Sequence, residues 1–236
     1  MHIPIAQPSL GNEESDAVLT VLASGMIAQG PVTAAFEEEF AAYCGIPHAV
    51  AVSNGTTALH AALLATGVGP GDEVVVPAFT FFATASSVSM CGARPVFADV
   101  DAATATIDPA DVLAKVTPKT KAVIGVHLYG QPCDAGAIRE ICDDKGLVFI
   151  EDAAQAHGAT YRGQKTGSLG DLACFSFYAT KNLATGEGGM VTTASDEYDA
   201  RLRRIINHGQ SEKYLRTELG YNYRMTDINA AIGRVQ

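Results

Sequence analysis

Five short runs rich in Val and Ile constrain this chain more than any other feature: HAVAV (48–52), EVVVPA (73–78), ARPVFADV (93–100), KAVIGVH (121–127) and GLVFIED (146–152). Each is too short for a helix, and stretches of helical patterning lie between them. Strands that alternate with helices need crossover connections, and crossovers give parallel pairing with helices over both faces. The helices carry visible stops and starts, such as the Gly67–Gly71 turn after TALHAALLAT and Asp108-Pro109 before ADVLAKV. The spacing therefore predicts an α/β fold with a mostly parallel central sheet.

With 236 residues, 47% hydrophobic and only 18% charged, the chain can bury the core of one large domain. No internal repeat, low-complexity tract or charged linker divides it. A formal net charge of -10 argues against an extended surface for nucleic acid or anionic membrane, which would need clustered Lys and Arg. The cysteines (Cys44, Cys91, Cys133, Cys142, Cys174) are odd in number, widely spaced and free of any CxxC pair, which fits reduced thiols and a cytoplasmic location. The opening MHIPIAQPSLGNEE has no basic region followed by an apolar core, so no signal peptide is expected. The uncharged run Val74–Ala93 contains Pro77 and several hydroxyl residues, and reads as buried strand, loop and helix rather than a membrane span.

Open α/β sheets bind ligands beyond the carboxyl ends of their strands, and four such loops have unusual content. Ser53-Asn54-Gly55-Thr56-Thr57 ends a strand and opens a helix, an arrangement suited either to phosphate or to simple N-capping. Pro77-Ala78-Phe79-Thr80-Phe81-Phe82-Ala83-Thr84 offers aromatic rings that could cover a flat ligand, although taken alone such rings read as core volume. Glu151-Asp152 sets two carboxylates at the end of an apolar strand, where a structural ion pair competes with a site. Lys181 lies in apolar and aromatic company (FSFYATKN) ahead of the flexible Gly186-Glu187-Gly188-Gly189. Desolvation there would make its amine a usable nucleophile.

Together these features match the needs of one cofactor, pyridoxal 5'-phosphate (PLP). Its aldehyde condenses with a lysine amine, its ring nitrogen wants a carboxylate, its ring wants stacking, and its phosphate wants N–H and hydroxyl donors. His60 and His127 fall in apolar patterns and read as core residues, and His208 of NHG reads as an exposed turn residue. No carboxylate or second histidine stands at ligand spacing, so a metal site is not expected.

The same residues resemble the DegT/DnrJ/EryC1/StrS family of sugar aminotransferases, within the fold type I PLP enzymes. The likeness runs through IAQGP (27–31), SNGTTALHAAL, GDEVVVPAFTFFATA, VHLYGQP, EDAAQAHGA, FSFYATKNLATGEGGM and GYNYRMTDINAAIG, in that order. It implies the large domain of that fold over 13–236, after an N-terminal arm at 1–12. Lys181 would carry the cofactor and act as the acid/base of the proton shift, and Asp152 would pair with the ring nitrogen. Gln155 would bond near the phenolic oxygen and Phe81 would stack on the ring. Gly55, Thr56 and Thr57 would hold the phosphate, joined by Ser176. Asn222 would reach the phosphate of a neighbouring subunit, so that a homodimer shares its active sites.

The reaction implied is transfer of an amino group from L-glutamate to a keto group of a nucleotide-linked sugar. Lys181 favours transamination, because the related sugar dehydratases have histidine there. Two alternatives are a PLP-binding regulatory protein without turnover, and a synthase acting on a cyclic keto acid in antibiotic assembly. TDINAAIGRVQ reads as an amphipathic helix with Ala230, Ala231 and Val235 on its apolar side, and the sequence stops inside that pattern. Family members carry a further C-terminal domain, so the resemblance implies that this small domain is missing here and leaves apolar surface uncovered.

Overall fold

A computed structural model describes residues 6–236; the part of the expected arm at 1–5 lies outside the described residues. Two helices, α1 (Asn12–Ser24) and α2 (Pro31–Cys44), precede β1 (His48–Val52), α3 (Gly55–Ala65), β2 (Glu73–Pro77), α4 (Phe82–Met90) and β3 (Arg94–Ala98). Next come α5 (Pro109–Lys115), β4 (Thr120–Val126), α6 (Ala135–Lys145), β5 (Val148–Asp152), the small hairpin β6 (Thr160–Tyr161) and β7 (Gln164–Lys165), and β8 (Leu172–Ser176). The chain closes with β9 (Gly189–Thr193), α7 (Asp196–Ile205), the hairpin β10 (Gln210–Glu212) and β11 (Leu215–Arg216), and α8 (Asp227–Val235).

The main sheet runs β1-β9-β8-β5-β4-β2-β3. Pairings from β8 to β3 are parallel, whereas β9 runs antiparallel to both β1 and β8. The mostly parallel sheet expected from the five apolar runs is thus present, with β9 as its one reversed member. The Val74–Ala93 run is β2, a loop and the start of α4, as expected, and among the described residues no helix is long and apolar enough to cross a membrane.

Strand alternation sorts the core into two faces. Val74, Val76, Ile124 and Ile150 pack with α3, α4 and α7 on one side. Val75, Val123 and Phe149 pack with α5 and α6 on the other. Under the antiparallel edge, Phe36 and Phe40 of α2 interlock with Phe175 and Phe177 at ring-centroid distances of 4.9 to 5.5 Å. Each such aromatic contact is worth about 0.5–1.5 kcal/mol beyond its buried area.

α8 buries Ala230 and Ala231 while Val235 stays half-buried, which matches the apolar side read from TDINAAIGRVQ. Its first residue closes a long-range cap. Asp227, fully buried, accepts hydrogen bonds from Gly30 N at 2.8 Å, Thr33 N at 2.9 Å, Thr33 Oγ1 at 2.6 Å and Val32 N at 3.2 Å. These are donors at the start of α2 that have no acceptor within their own helix. Position 30 is glycine because a Cβ there would lie 2.7 Å from the Asp227 carboxylate.

Candidate active site

Beyond the carboxyl ends of β1, β4, β5 and β8 lies a cavity of about 420 Å³. Its walls include Gly55, Thr56, Phe81, Asp152, Gln155, Ser176 and Lys181. Seven of the nine residues singled out for a site in the sequence thus meet around one space. Thr57 and Asn222 do not line it.

At the head of α3, Asn54 is the N-cap. Its Oδ1 accepts from Thr57 N at 2.9 Å, and Thr57 Oγ1 donates back to Asn54 O at 2.8 Å. Thr57 therefore spends both polar groups on the capping box, and the N–H groups of Gly55 and Thr56 are left at the helix mouth. The helix dipole makes that mouth attractive to an anion. Gly55 is needed for closeness, since a Cβ there would sit 2.7 Å from Ser176 Cβ and 3.1 Å from its hydroxyl. Of the two alternatives in the sequence, the capping is present in Asn54 and Thr57.

The two carboxylates separate onto opposite faces of β5. Glu151, fully buried, accepts from Leu169 N and Gly170 N at 2.8 Å on Oε1 and from Gly167 N at 2.9 Å on Oε2. His127 Nε2 lies 2.9 Å from the same Oε2, and the Cys133 N–H on Nδ1 leaves Nε2 as the donor. Glu151 and His127 are therefore a structural clamp. Asp152 faces the cavity with Oδ2 taking the Thr84 hydroxyl at 2.8 Å and Oδ1 taking Ala154 N at 3.2 Å. Burial pushes its pKa up, opposed by Thr84, the Ala154 N–H, His127 and Lys181.

Lys181 sits half-buried in the loop between β8 and β9, and among the described residues its amine makes no hydrogen bond or ion pair. Burial lowers its pKa, against the pull of Asp152. The loop is held from several sides. Phe177 N donates to Gly188 O and Thr185 N to Phe177 O, both at 2.8 Å. Asn229 Nδ2 of α8 reaches Thr185 O at 2.8 Å and Glu187 O at 3.0 Å. Asn182 is tied to His157 through His157 Nδ1 at 2.7 Å and His157 O at 3.2 Å.

Gln155 is oriented by the chain opposite. Tyr129 N donates to its Oε1 at 2.7 Å, which leaves the amide NH2 as a donor. Tyr129 holds φ 54, a left-handed conformation costing a tyrosine about 1–2 kcal/mol.

The aromatic trio corrects the core reading. Phe79, Phe81 and Phe82 are 52%, 73% and 78% exposed, because β2 ends before them, and only Phe81 borders the cavity. His60 and His127 are buried as expected, and His208 is exposed in a turn. Asn222 is exposed as well. In GYNYR the flanking Tyr221 and Tyr223 stack at 4.9 Å beside His60, and alternation sends Asn222 outward.

Thr84, at the end of the Pro77–Thr84 segment, and Asn229 are given no role by the sequence. Thr84 stood in a small-residue helix, and Asn229 in the polar first turn of an amphipathic one. The only signal was a polar residue beside a buried strip.

The model of the DegT/DnrJ/EryC1/StrS aminotransferase family matches residues 8–236. The chain is 50% identical over 238 residues to the GDP-perosamine synthase of Caulobacter vibrioides, covering 100% of this chain and 64% of that one. It is 44% identical over 237 residues to the dTDP-3-amino-3,4,6-trideoxy-alpha-D-glucose transaminase of Streptomyces venezuelae, covering 100% and 62%. Among solved structures it is similar to the aminotransferase from Psychrobacter cryohalolentis, with TM-score 0.94 and 43% identity over 97% of this chain and 62% of that one. The chain thus spans less than two thirds of the length of these relatives.

Proposed function

Because the chain belongs to the DegT/DnrJ/EryC1/StrS aminotransferase family, we propose that its cavity holds pyridoxal 5'-phosphate and serves amino transfer from L-glutamate to a keto group of a nucleotide-linked sugar. The observation that carries this reading is a half-buried amine without a partner among the described residues. It shares one cavity with a buried carboxylate, a helix mouth and an exposed ring.

The residues fit the group. The Gly55 and Thr56 N–H groups with the Ser176 hydroxyl suit a phosphate, the helix mouth and the hydroxyl coming this close only because position 55 has no side chain. Asp152 offers a buried acceptor for a ring N–H, the Gln155 NH2 offers a donor to an oxygen, and Phe81 offers a face. When bound, PLP supplies an aldehyde that condenses with amines and a ring that withdraws electrons from them. Desolvation favours the neutral form of Lys181, which keeps a lone pair on Nζ for bonding and for taking and returning a proton.

Asn222 is exposed and does not line the cavity of its own chain, which leaves it available to a second copy and supports active sites shared across a homodimer. Relatives whose names carry GDP- or dTDP-linked sugars favour a nucleotide sugar over a cyclic keto acid or a role without turnover. Burial pushes the thiols of Cys44, Cys91 and Cys142 up to about 12 and that of Cys174 well above its usual value, and all five cysteines are unpaired. Such protected thiols support a reducing, cytoplasmic setting.

The test is to add PLP to the purified protein, reduce with borohydride and map the cofactor mass by peptide sequencing. The mass should fall on Lys181, and Lys181→Ala should lose both the long-wavelength absorbance and all turnover. A mass on another lysine, or an active Lys181→Ala, would remove the reading. Single-turnover spectra with glutamate, followed by a panel of nucleotide-linked keto sugars, separate amino transfer from mere cofactor binding.

A further inference from the structure

Asp152 is gripped by a helix to which the reading above gives no role. Thr84 lies fully buried in the first turn of α4, and its Oγ1 donates to Asp152 Oδ2 at 2.8 Å. Thr80 Oγ1 lies 2.9 Å from Thr84 Oγ1. A carboxylate can only accept, so the single hydroxyl hydrogen of Thr84 is spent on Asp152, and the hydrogen between the two threonines must come from Thr80. Two hydroxyls thus point in one direction and end on the acid. The other carboxylate oxygen is turned by Ala154 N at 3.2 Å, so the rotamer is fixed from both ends.

We propose that Thr84, oriented by Thr80, is a positioning residue that fixes the side chain of Asp152 and keeps it an acceptor facing the cavity. Its consequence for the ring nitrogen rests on the proposed cofactor, whereas the relay itself does not. Burial is the main force against a charged Asp152, and Thr84 stands first among the groups that oppose it, ahead of the Ala154 N–H, His127 and Lys181. Cys174, on the adjacent strand, is a further titratable group near this acid, its thiol raised by burial and by the charges of Asp152 and of Glu151, which lies on the opposite face of β5. Losing a hydrogen bond to a charged group in a buried place is worth about a factor of ten or more.

The test pairs Thr84→Val, which keeps the shape and deletes the donor, with Thr84→Ser, which keeps the donor. In the cofactor-free protein, the Asp152 carboxyl carbon followed by NMR should titrate about one pH unit higher in Thr84→Val and near wild type in Thr84→Ser. With added PLP, Thr84→Val should bind about tenfold more weakly and shift the pH midpoint of the bound absorbance, again with rescue by serine. Thr80→Val should move both readouts the same way by a smaller factor. A Thr84→Val protein within twofold of wild type overturns the proposal, and so does a serine variant as impaired as valine, since volume would then be the cause. Should the valine variant lose its far-UV dichroism, Thr80→Val decides, and its behaving as wild type overturns the relay. A wild type that binds no PLP defeats the cofactor reading and leaves the carboxyl titration to judge Thr84.

Discussion

Glu151 and Asp152 are chain neighbours at the end of β5, yet they live under opposite rules. On the α6 side of the sheet, Glu151 receives three backbone N–H groups and an imidazole, all within 2.9 Å. On the α3 and α4 side, Asp152 receives one hydroxyl and one N–H and faces a cavity. A buried charge whose acceptor sites are filled holds structure together. One left with spare capacity, lining a cavity with an amine that has no partner among the described residues, can still accept from an incoming group. The difference separates a carboxylate whose acceptor sites are filled from one with room for a further donor, at two adjacent positions.

Glu151→Gln is the strongest way to break this comparison. An amide would turn a donor toward N–H groups, and stability should fall by about 3–5 kcal/mol in urea unfolding. Asp227→Asn, at the other filled carboxylate, should cost about 1–3 kcal/mol in the same measurement. Asp152→Asn should change stability by less than about 1 kcal/mol while turnover falls about a hundredfold or more. If it costs as much stability as Glu151→Gln, the two carboxylates are alike and the distinction is lost.

The pH dependence sharpens the same point. The pKa of Asp152 is raised in the folded protein, so this group contributes stability below the usual Asp value of about 3.9 and loses it as pH rises through the folded value. Wild type should therefore lose stability relative to Asp152→Asn across that window. Lys181, whose pKa is lowered, contributes stability above the usual Lys value of about 10.4 and loses it as pH falls through the folded value. Lys181→Met should consequently gain a few tenths of a kcal/mol near neutral pH, the smallest effect of the set, measured by the unfolding midpoint. A clear loss instead would mean that the amine has a structural partner.

β2, β4 and β5 were legible because buried parallel strands are written as nearly uninterrupted apolar runs, and the edge strands β1 and β3 were legible from their Val-rich runs although β1 pairs antiparallel and β3 is largely uncovered. β9 was not, since GMVTT follows a glycine cluster and nothing local says that the chain reverses there. Period-two alternation guaranteed that Glu151 and Asp152 would part. It could not say which face held the cavity, because that depends on where α4 delivers Thr84. The glycine and hydroxyl content at 54–57 marked a helix mouth, but the sharing of roles between Thr57 and Gly55 is a matter of hydrogen-bond geometry. Asp227 and Asn229 act on partners remote in sequence, and no local pattern records that.

Asn229 grips the carbonyls of Thr185 and Glu187 from α8, the same helix whose Asp227 fastens the start of α2. The segment bearing Lys181 is therefore moored to the joint between α8 and the start of α2. Any force that pries that joint apart slackens the mooring, so the placement of the Lys181 amine registers the mechanical integrity of a seam it does not touch.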